Sequence, residues 1–186
     1  TITGRNPANA VTLGGGSLAH SPVGGSPFVS DRERGRRDGT MADHVELVKL
    51  AHAADLLTVL QSGTVEAQDL EHTSRHLEMD YSILRWSDKP FIVYGTSGEK
   101  ATDAFELASI ARRGREALLE TPMVIGIVNP NSPLVWDGLM VETLVACAEF
   151  GQPVAITPFL LAGASAPVTL AGGLSLLVAE TLAGVA

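Results

Sequence analysis

The sequence contains a single cysteine, Cys147, so no disulfide can form within the chain. Chains without disulfides are typical of a reducing compartment, and we therefore expect a cytoplasmic protein. Basic residues are also scarce, because 13 Lys and Arg stand against 21 Asp and Glu, which gives a net charge of −8. This excess of negative charge disfavours nucleic acid and anionic membrane surfaces as partners.

Long uninterrupted apolar runs are missing as well. The longest apolar stretch, residues 160–178, is broken by glycine, proline, serine and threonine, which excludes a membrane span and favours a buried strand followed by a buried helix. The sequence opens with Thr1 rather than Met and has no signal-peptide pattern. We expect that these 186 residues are a fragment of a single domain, cut at both ends.

The first 40 residues differ in composition from the rest. Residues 1–40 are rich in glycine and polar side chains, and the two short segments 28–31 and 36–38 flank a turn that contains Gly35. This pattern predicts a β-hairpin or an extended loop. Residues 41–186 instead alternate between short apolar runs and amphipathic stretches, which predicts successive βα units.

The boundaries of these units follow from capping and breaking signals. Thr40 with Asp43, and Thr96 with Glu99, have the spacing of helix capping boxes, and Pro167 suits the first turn of a final helix. We predict strands over 56–60, 91–94, 123–128 and 154–157, and helices over 40–54, 66–84, 96–119 and 137–150.

The predicted strands indicate a parallel sheet. They are continuous apolar runs, and their starts recur roughly every 30 to 35 residues, about the length of a βα unit. A complete eight-fold barrel needs about 250 residues, so the chain holds either a smaller doubly wound sheet or part of a barrel. The expected cut ends favour an α/β fold that is a partial (β/α) TIM-type barrel with four to five βα units.

Ligands of parallel α/β proteins bind at the carboxyl ends of the strands. The candidate substrate-binding residues at these ends are Gln61, Thr96, Asn129, Asn131 and Thr157. They are small, polar and uncharged, so no lysine for a Schiff base and no carboxylate for general-base chemistry stands at a strand tip. The alternative is that they only form turns and helix caps.

Three other features of the sequence bear on possible sites. His72 and His76 have a spacing that can hold a metal on one helix face, although surface or packed histidines are the alternative. Cys147 lies in an apolar stripe and is expected in the core. Several aromatic residues near the strand ends could form a wall for a quaternary ammonium or could simply pack: Trp86, Tyr94, Trp136 and Phe159.

The most specific pattern lies near the end of the sequence. Residues 151–158 read GQPVAITP, residues 161–173 read LAGASAPVTLAGG, and residues 179–184 read AETLAG. This block resembles the signature segment of the trimethylamine methyltransferase family. The segment from Asp31 through Arg36, Arg37 and Thr40 to Asp43 resembles an earlier Asp…Gly-x-Arg-Arg…Thr-x-x-Asp segment of the same family.

The resemblance implies a barrel enzyme two to three times as long as this chain. Such enzymes move a methyl group from a methylated amine to the cobalt of a corrinoid (cobalamin) carried by a separate corrinoid protein. Some members use pyrrolysine, whereas others lack it and act on glycine betaine or related quaternary amines. Transfer from a quaternary ammonium depends chiefly on positioning, so strand tips without strong acids or bases suit this chemistry.

The signature block adds two candidate substrate-binding residues, Gly163 and Ser165, just before the helix that is predicted near Pro167. We hypothesise that this loop and helix start bind the substrate or face the corrinoid; alternatively, the glycines only permit close packing. The expected function is methyl transfer from trimethylamine or a betaine-type amine. The alternatives are a non-catalytic ligand-binding or scaffold domain and a flavodoxin-like sheet. Unpaired strands of an incomplete barrel predict a homo-oligomer.

Overall fold

A computed structural model describes residues 1–94 and 96–185, without the side chain of Tyr94. The strands are β1 (Ile2–Thr3), β2 (Ala10–Val11), β3 (Phe28–Asp31), β4 (Gly35–Asp38), β5 (Leu60–Gln61), β6 (Phe91–Tyr94), β7 (Val124–Val128) and β8 (Val154–Ile156). The α-helices are α1 (Met41–Ala53), α2 (Arg75–Trp86), α3 (Gly98–Arg112), α4 (Arg115–Glu120), α5 (Gly138–Glu149) and α6 (Leu170–Val185).

The main sheet is parallel, and its four strands follow chain order, β5-β6-β7-β8. Phe91 of β6 lies opposite Leu60 on one side and Val124 on the other, and Gly126 of β7 lies opposite Val154. Parallel strands joined in sequence by crossovers of one hand carry their helices on one face of the sheet. The predicted parallel α/β fold is confirmed.

The two faces of this sheet pack against different parts of the chain. Strand residues Leu60, Phe91, Val93 and Val124 share one core cluster with residues of α1, α2, α3, α4 and α5. Val59, Ile92, Ile125 and Ala155, on the other face, pack against Ile2 and Val11 of β1 and β2, and no described α-helical residue joins them. The described helices that pack on this sheet therefore lie on one of its faces, whereas a doubly wound sheet has helices on both.

The first hairpin and helix match their predictions. β3 and β4 pair antiparallel from Phe28 opposite Asp38 to Asp31 opposite Gly35, and Gly35 adopts a positive φ of 67° at the turn. Thr40 is the N-cap of α1, and its side chain and that of Asp43 form a complete capping box. The hairpin and the capping box are therefore confirmed.

The predicted strand over 56–60 is wrong in its bounds, since β5 contains only Leu60 and Gln61. The N–H groups of Thr58 and Val59 bond to the carbonyl of His20 instead of to β6. Leu56 is 69% exposed in the turn that precedes the strand. Apolar composition alone therefore placed the start of this strand too early.

The predicted helix over 66–84 begins late, because α2 starts only at Arg75. The preceding segment is tied to the N-terminal part of the chain: the N–H of Glu66 donates to Ser26 and that of Gln68 to Gly39. The carboxylate of Asp69 also accepts from the N–H of Met41 at 2.8 Å. Backbone groups that bond to distant residues cannot form the intrahelical ladder.

The third predicted helix and the final one also depart from the predictions. The predicted capping box of Thr96 and Glu99 is wrong, because the helix expected over 96–119 starts after Ser97, which is its N-cap. This helix is also interrupted at Arg113, whose φ is 67°. Its second part is the short helix α4. Pro167 lies three residues before α6, and the hydroxyl of Thr169 accepts from the N–H of Gly172 at 3.2 Å. Thr169 thus starts the last helix, and Pro167 belongs to the loop before it.

Candidate functional site

A cavity of about 560 Å³ lies at the carboxyl ends of β5 and β6, beside the first turns of α2 and α3. Its size falls within the range of small-molecule sites. Ser62, Gly63 and Thr96 line it from the strand ends, and Met79 and Val93 supply apolar wall. The remaining charged and ionisable lining residues come chiefly from α2 and the segment before it: Glu66, His72, Arg75, His76, Asp80 and Lys100.

Asp80 is the most deeply buried charged side chain of this cavity, with 0% exposure. One carboxyl oxygen, Oδ1, accepts a hydrogen bond from the hydroxyl of Ser62, whereas Oδ2 has no partner among the described residues. Burial raises the pKa of Asp80 to about 7, and the neighbouring charges of Asp103 and Glu66 act in the same direction. A buried oxygen without a donor is costly, so a ligand that supplies one would be stabilised here.

Two more side chains of α2 have unused donors or acceptors. Nε2 of His76 lies 2.8 Å from Oδ2 of Asp103 in α3, and the buried Nδ1 has no partner among the described residues. Arg75 donates through Nη2 to the carbonyl of Leu70 at 3.2 Å, and its buried Nε likewise has no partner there. The cavity thus combines unmet hydrogen-bonding groups of opposite charge.

The histidine pair of α2 and its flank does not form a metal site. His76 is held by Asp103. Within residues 1–94 and 96–185, no group of three His, Cys, Asp or Glu side chains is arranged to hold a metal ion. The spacing of His72 and His76 instead brings both to the lining of the cavity.

The structure separates the two predicted site residues nearest to the cavity. Thr96 lines it. Gln61 is buried and neighbours Ser62 in the chain, so its side chain lies on the opposite face of the strand. There it packs so closely under Gly24 that a Cβ at that glycine would clash with the Gln61 amide. Gln61 therefore supports the N-terminal segment on the face without helices.

The predicted residues at the ends of β7 and β8 contact each other. The hydroxyl of Thr157 hydrogen-bonds to the side-chain carbonyl of Asn129, which links the two strand ends. The amide of Asn131 donates to Asp137 at 2.9 Å, and Asp137 caps α5 by accepting from Met140 at 2.9 Å. The structure brings these residues together as turn and cap contacts, and ligand binding by them stays a prediction.

Gly163 and Ser165 build the loop that precedes α6. The hydroxyl of Ser165 accepts from the N–H of Leu161 at 2.9 Å and contacts the carbonyl of Phe159 at 3.3 Å. Gly163 has a φ of 81°, which glycine adopts without strain. Beside this loop an apolar groove of about 320 Å³ follows the first turns of α6, with Leu160, Leu174 and Leu177 among its lining residues.

Glu180 of α6 is a positioning residue that the sequence did not reveal. Its side chain is 1% exposed, and its carboxylate accepts from the hydroxyl of Ser132 and the N–H of Leu134, both at 2.7 Å. The indole N–H of Trp136 donates to the Glu180 carbonyl at 3.3 Å. Glu180 thus fixes the loop after β7, and an acid within the apolar sequence of α6 was the available signal.

Two of the aromatic residues near the strand ends make contacts within the protein. Trp86 ends α2, and its ring lies under the ammonium of Lys49 and beside the guanidinium of Arg85, so it serves intramolecular cation–π contacts. Trp136 binds Glu180. The side chain of Tyr94 lies outside the described residues, and no described lining residue of the cavity is Phe, Tyr or Trp.

The cavity residues Arg75 and Asp80 were also missed by sequence reasoning. Asp80 follows Met79 and precedes Ile83, and both of these are core residues of α2. An acid beside the buried face of an amphipathic helix is a usable signal, because such groups are rarely buried without a function or a partner. The predicted helix, however, began at residue 66, whereas α2 begins at Arg75.

These features define a parallel α/β protein with helices on one face of its sheet and a charged, ligand-sized cavity at the strand ends. The sequence profile of the family Trimethylamine methyltransferase (MTTB) matches residues 1–186. The chain therefore belongs to the trimethylamine methyltransferase family, as its signature block predicted.

Two curated relatives show how this chain sits within the family. It is 37% identical over 185 residues to a glycine betaine methyltransferase of Desulfitobacterium hafniense (strain Y51), which covers 100% of the chain and 39% of that relative. It is 24% identical over 174 residues to the trimethylamine methyltransferase MttB of Desulfitobacterium hafniense (strain DSM 10664 / DCB-2), covering 93% of the chain and 35% of that protein. The chain thus spans less than half the length of these relatives.

No α-helix within the described residues has the length and apolarity that crossing a membrane requires.

Proposed function

We propose that the protein transfers a methyl group from a betaine-type quaternary amine to the cobalt of a corrinoid carried by a separate protein. The observation that carries this proposal is the 37% identity, over the whole chain, to a glycine betaine methyltransferase. The identity to the trimethylamine methyltransferase is 24%. We therefore propose a betaine, rather than trimethylamine, as the methyl donor.

The cavity at the ends of β5 and β6 is the proposed donor site. A betaine carries a carboxylate and a quaternary ammonium a few bonds apart. The cationic side chains of Arg75 and Lys100 suit the carboxylate, and the acidic side chains of Asp80 and Glu66 suit the ammonium. Trimethylamine has no carboxylate for the arginine and lysine, so the presence of both charges in one cavity supports a zwitterionic donor.

The proposed role of the chain is to hold the donor rather than to activate it chemically. A quaternary ammonium already has a neutral amine as its leaving group, so fixing the orientation of one methyl group supplies much of the rate. The corrinoid protein is the second substrate. The apolar groove along α6, next to Gly163 and Ser165, is the proposed face toward it. The remaining barrel strands are proposed to come from the rest of the parent protein.

Methyl transfer by the product of the full gene tests this function. The protein is mixed with a corrinoid protein in the cobalt(I) state and with trimethylamine, glycine betaine, carnitine or proline betaine, and the cobalt spectrum is followed. The proposal expects conversion to methyl-cobalt with a betaine. A competent corrinoid protein that stays unmethylated with every betaine would contradict it and would favour a non-catalytic barrel.

A matched pair of variants tests the donor site. Arg75→Gln removes a lining charge, whereas Arg85→Gln removes the same charge from the far end of α2. We expect Arg75→Gln to raise KM for the betaine by about 10- to 100-fold, as loss of a charge-assisted hydrogen bond does, and Arg85→Gln to leave KM unchanged. Equal KM values for both variants would contradict the assignment of this cavity as the donor site.

A further inference from the structure

Only one of the two carboxyl oxygens of Asp80 has a hydrogen-bond partner among the described residues. Ser62 donates to Oδ1, and Oδ2 is buried without a partner among the described residues. Asp80 lines the cavity together with Arg75 and Lys100. An occupant that donates a hydrogen bond to Oδ2 therefore gains an interaction that no described residue already makes.

A quaternary ammonium cannot make this interaction, because its nitrogen carries four carbon substituents and no hydrogen. Removal of one methyl group changes that. The methyl group leaves for cobalt(I), the electron pair of the broken C–N bond stays on the nitrogen, and the tertiary amine then takes a proton from water. The demethylated product therefore has one N–H donor next to the same carboxylate.

We infer that the cavity binds zwitterions with an N–H donor more tightly than quaternary ones, with Asp80 Oδ2 as the acceptor of that N–H. This inference rests on the proposed function and deepens it: the class of ligand that the site holds best is a protonated tertiary, secondary or primary amino acid. The demethylated product is then a strong competitor of its own donor, and its release is a step that the enzyme must complete in each cycle.

The groups around Asp80 agree with such a ligand. On the cationic side, Arg75 has a buried Nε that lacks a partner among the described residues and can donate to a carboxylate. On the acidic side, Glu66 adds a second carboxylate to the lining. The charges of Glu66 and Asp103 near Asp80 favour a cationic donor over a neutral one.

Calorimetric binding to the full-length protein at about pH 8, above the pKa of Asp80 and without any corrinoid protein, tests the inference. The probes are N,N-dimethylglycine, which has the N–H, and glycine betaine, which differs from it by one methyl group in place of that hydrogen. We expect N,N-dimethylglycine to bind about 10- to 100-fold more tightly, the effect of one hydrogen bond to a charged group. Equal affinities, tighter binding of glycine betaine, or no binding of either probe would overturn the inference.

Variants of α2 assign the effect to Asp80. Asp80→Asn keeps the size of the side chain and an oxygen for Ser62, but it places an N–H₂ donor where Oδ2 was, so the two probes are expected to bind equally. Glu78→Gln removes an exposed charge of the same helix and should keep the preference. A preference that survives Asp80→Asn would overturn the assignment, and the wild-type comparison decides the inference even if this variant does not fold.

The outcomes separate this inference from the proposed function. A protein that methylates cobalt(I) from glycine betaine and yet binds both probes alike refutes only the preference for N–H donors. A protein that selects N,N-dimethylglycine but never methylates cobalt(I) refutes only the proposed reaction.

Discussion

Both terminal nitrogens of Arg37 lie 2.5 Å from the two carboxylate oxygens of Asp43, one nitrogen on each. The same carboxylate accepts from the N–H of Thr40 at 3.1 Å, so one acid joins the hairpin strand β4 to the first turn of α1. This contact gives a structural reason for two residues of the early family motif. Arg37 and Asp43 attach the N-terminal hairpin to the βα part of the chain.

Replacement of Arg37 should therefore loosen this attachment. We expect Arg37→Gln to lower the free energy of unfolding, because it removes a two-fold charge-assisted contact between the hairpin and α1. Arg32→Gln, at an exposed position of the hairpin turn, is the control and should have little effect. Urea unfolding of both variants measures the difference, and equal stabilities would contradict the structural role of the pair.

The pH dependence of this effect has a definite sign. The guanidinium of Arg37 holds the pKa of Asp43 well below its ordinary value of 3.8. A lowered pKa in the folded state stabilises the fold above the unfolded value, and this contribution is lost as the pH falls through the folded pKa. The stability difference between wild type and Arg37→Gln should therefore be full near neutral pH and shrink below about pH 4. A constant difference down to strong acid would contradict the pairing.

The ionisation of Asp80 should make the stability of the fold depend on pH in the opposite direction to that of Asp43. Its pKa is about 7 in the folded protein against 3.8 in its unperturbed state, so folding takes up a proton between these values. Stability then falls as the pH rises from about 4 to about 7 and stays low above. The side chain introduced by Asp80→Asn cannot ionise, so the variant does not lose stability in this way. Its free energy of unfolding relative to the wild type should therefore rise between pH 5 and pH 8, by an amount on the order of 1–4 kcal/mol.

Thermal or urea unfolding at several pH values measures this gain. The titratable and charged groups around Asp80 are Glu66, His72, Arg75, His76, Lys100 and Asp103, and they are the same in both proteins. Glu78→Gln, on the exposed side of α2, is the control and should follow the wild type at each pH. A stability gap that does not change with pH would mean that Asp80 is ionised throughout.

Glu180 should be needed for the shape of the loop after β7. Glu180→Ala removes the acceptor of Ser132 and Leu134, and we expect a loss of about 1–3 kcal/mol in the free energy of unfolding. The fluorescence of Trp136, measured with Trp86 replaced by Phe, should shift to longer wavelength as the loop loosens. Glu149→Ala at the end of α5 is the control, and identical spectra for both variants would contradict the role of Glu180.

Gly126 in β7 is required by close packing against α5. A Cβ at this position would overlap the Sγ of Cys147, so Gly126→Ala should destabilise the fold by about 1–3 kcal/mol. Cys147→Ala makes room, and the double variant should be more stable than the sum of the single effects predicts. Gly138→Ala is the control, because no atom lies within 4 Å of a Cβ there. Strict additivity in the double-mutant cycle would contradict the overlap.

The sequence was sufficient where local chemistry decides structure. The hairpin around Gly35 and the capping box of Thr40 and Asp43 each depend on residues a few positions apart, and both are confirmed. The strands β6, β7 and β8 were also predicted within one residue at either end, because continuous apolar runs of this length are typical of strands in a covered parallel sheet.

Sequence reasoning was insufficient where distant residues compete for the backbone. Residues 66–74 have a helical pattern, yet the N–H of Glu66 bonds to Ser26 and that of Gln68 to Gly39. The charged residues of α2 that line the cavity were not predicted, because the prediction was limited to the uncharged ends of the strands. Of the residues predicted to bind substrate, Thr96 lines that cavity, whereas Gln61 lies on the other face of β5.

The fate of the methyl group tests the central claim most directly. The full-length protein, a cobalt(I) corrinoid protein and glycine betaine with deuterated methyl groups are incubated together, and both products are measured by mass spectrometry. We predict one trideuteromethyl group on cobalt for each molecule of dimethylglycine that appears. Dimethylglycine without a labelled methyl group on cobalt, or no dimethylglycine with a competent corrinoid protein, would contradict corrinoid-dependent methyl transfer from a betaine.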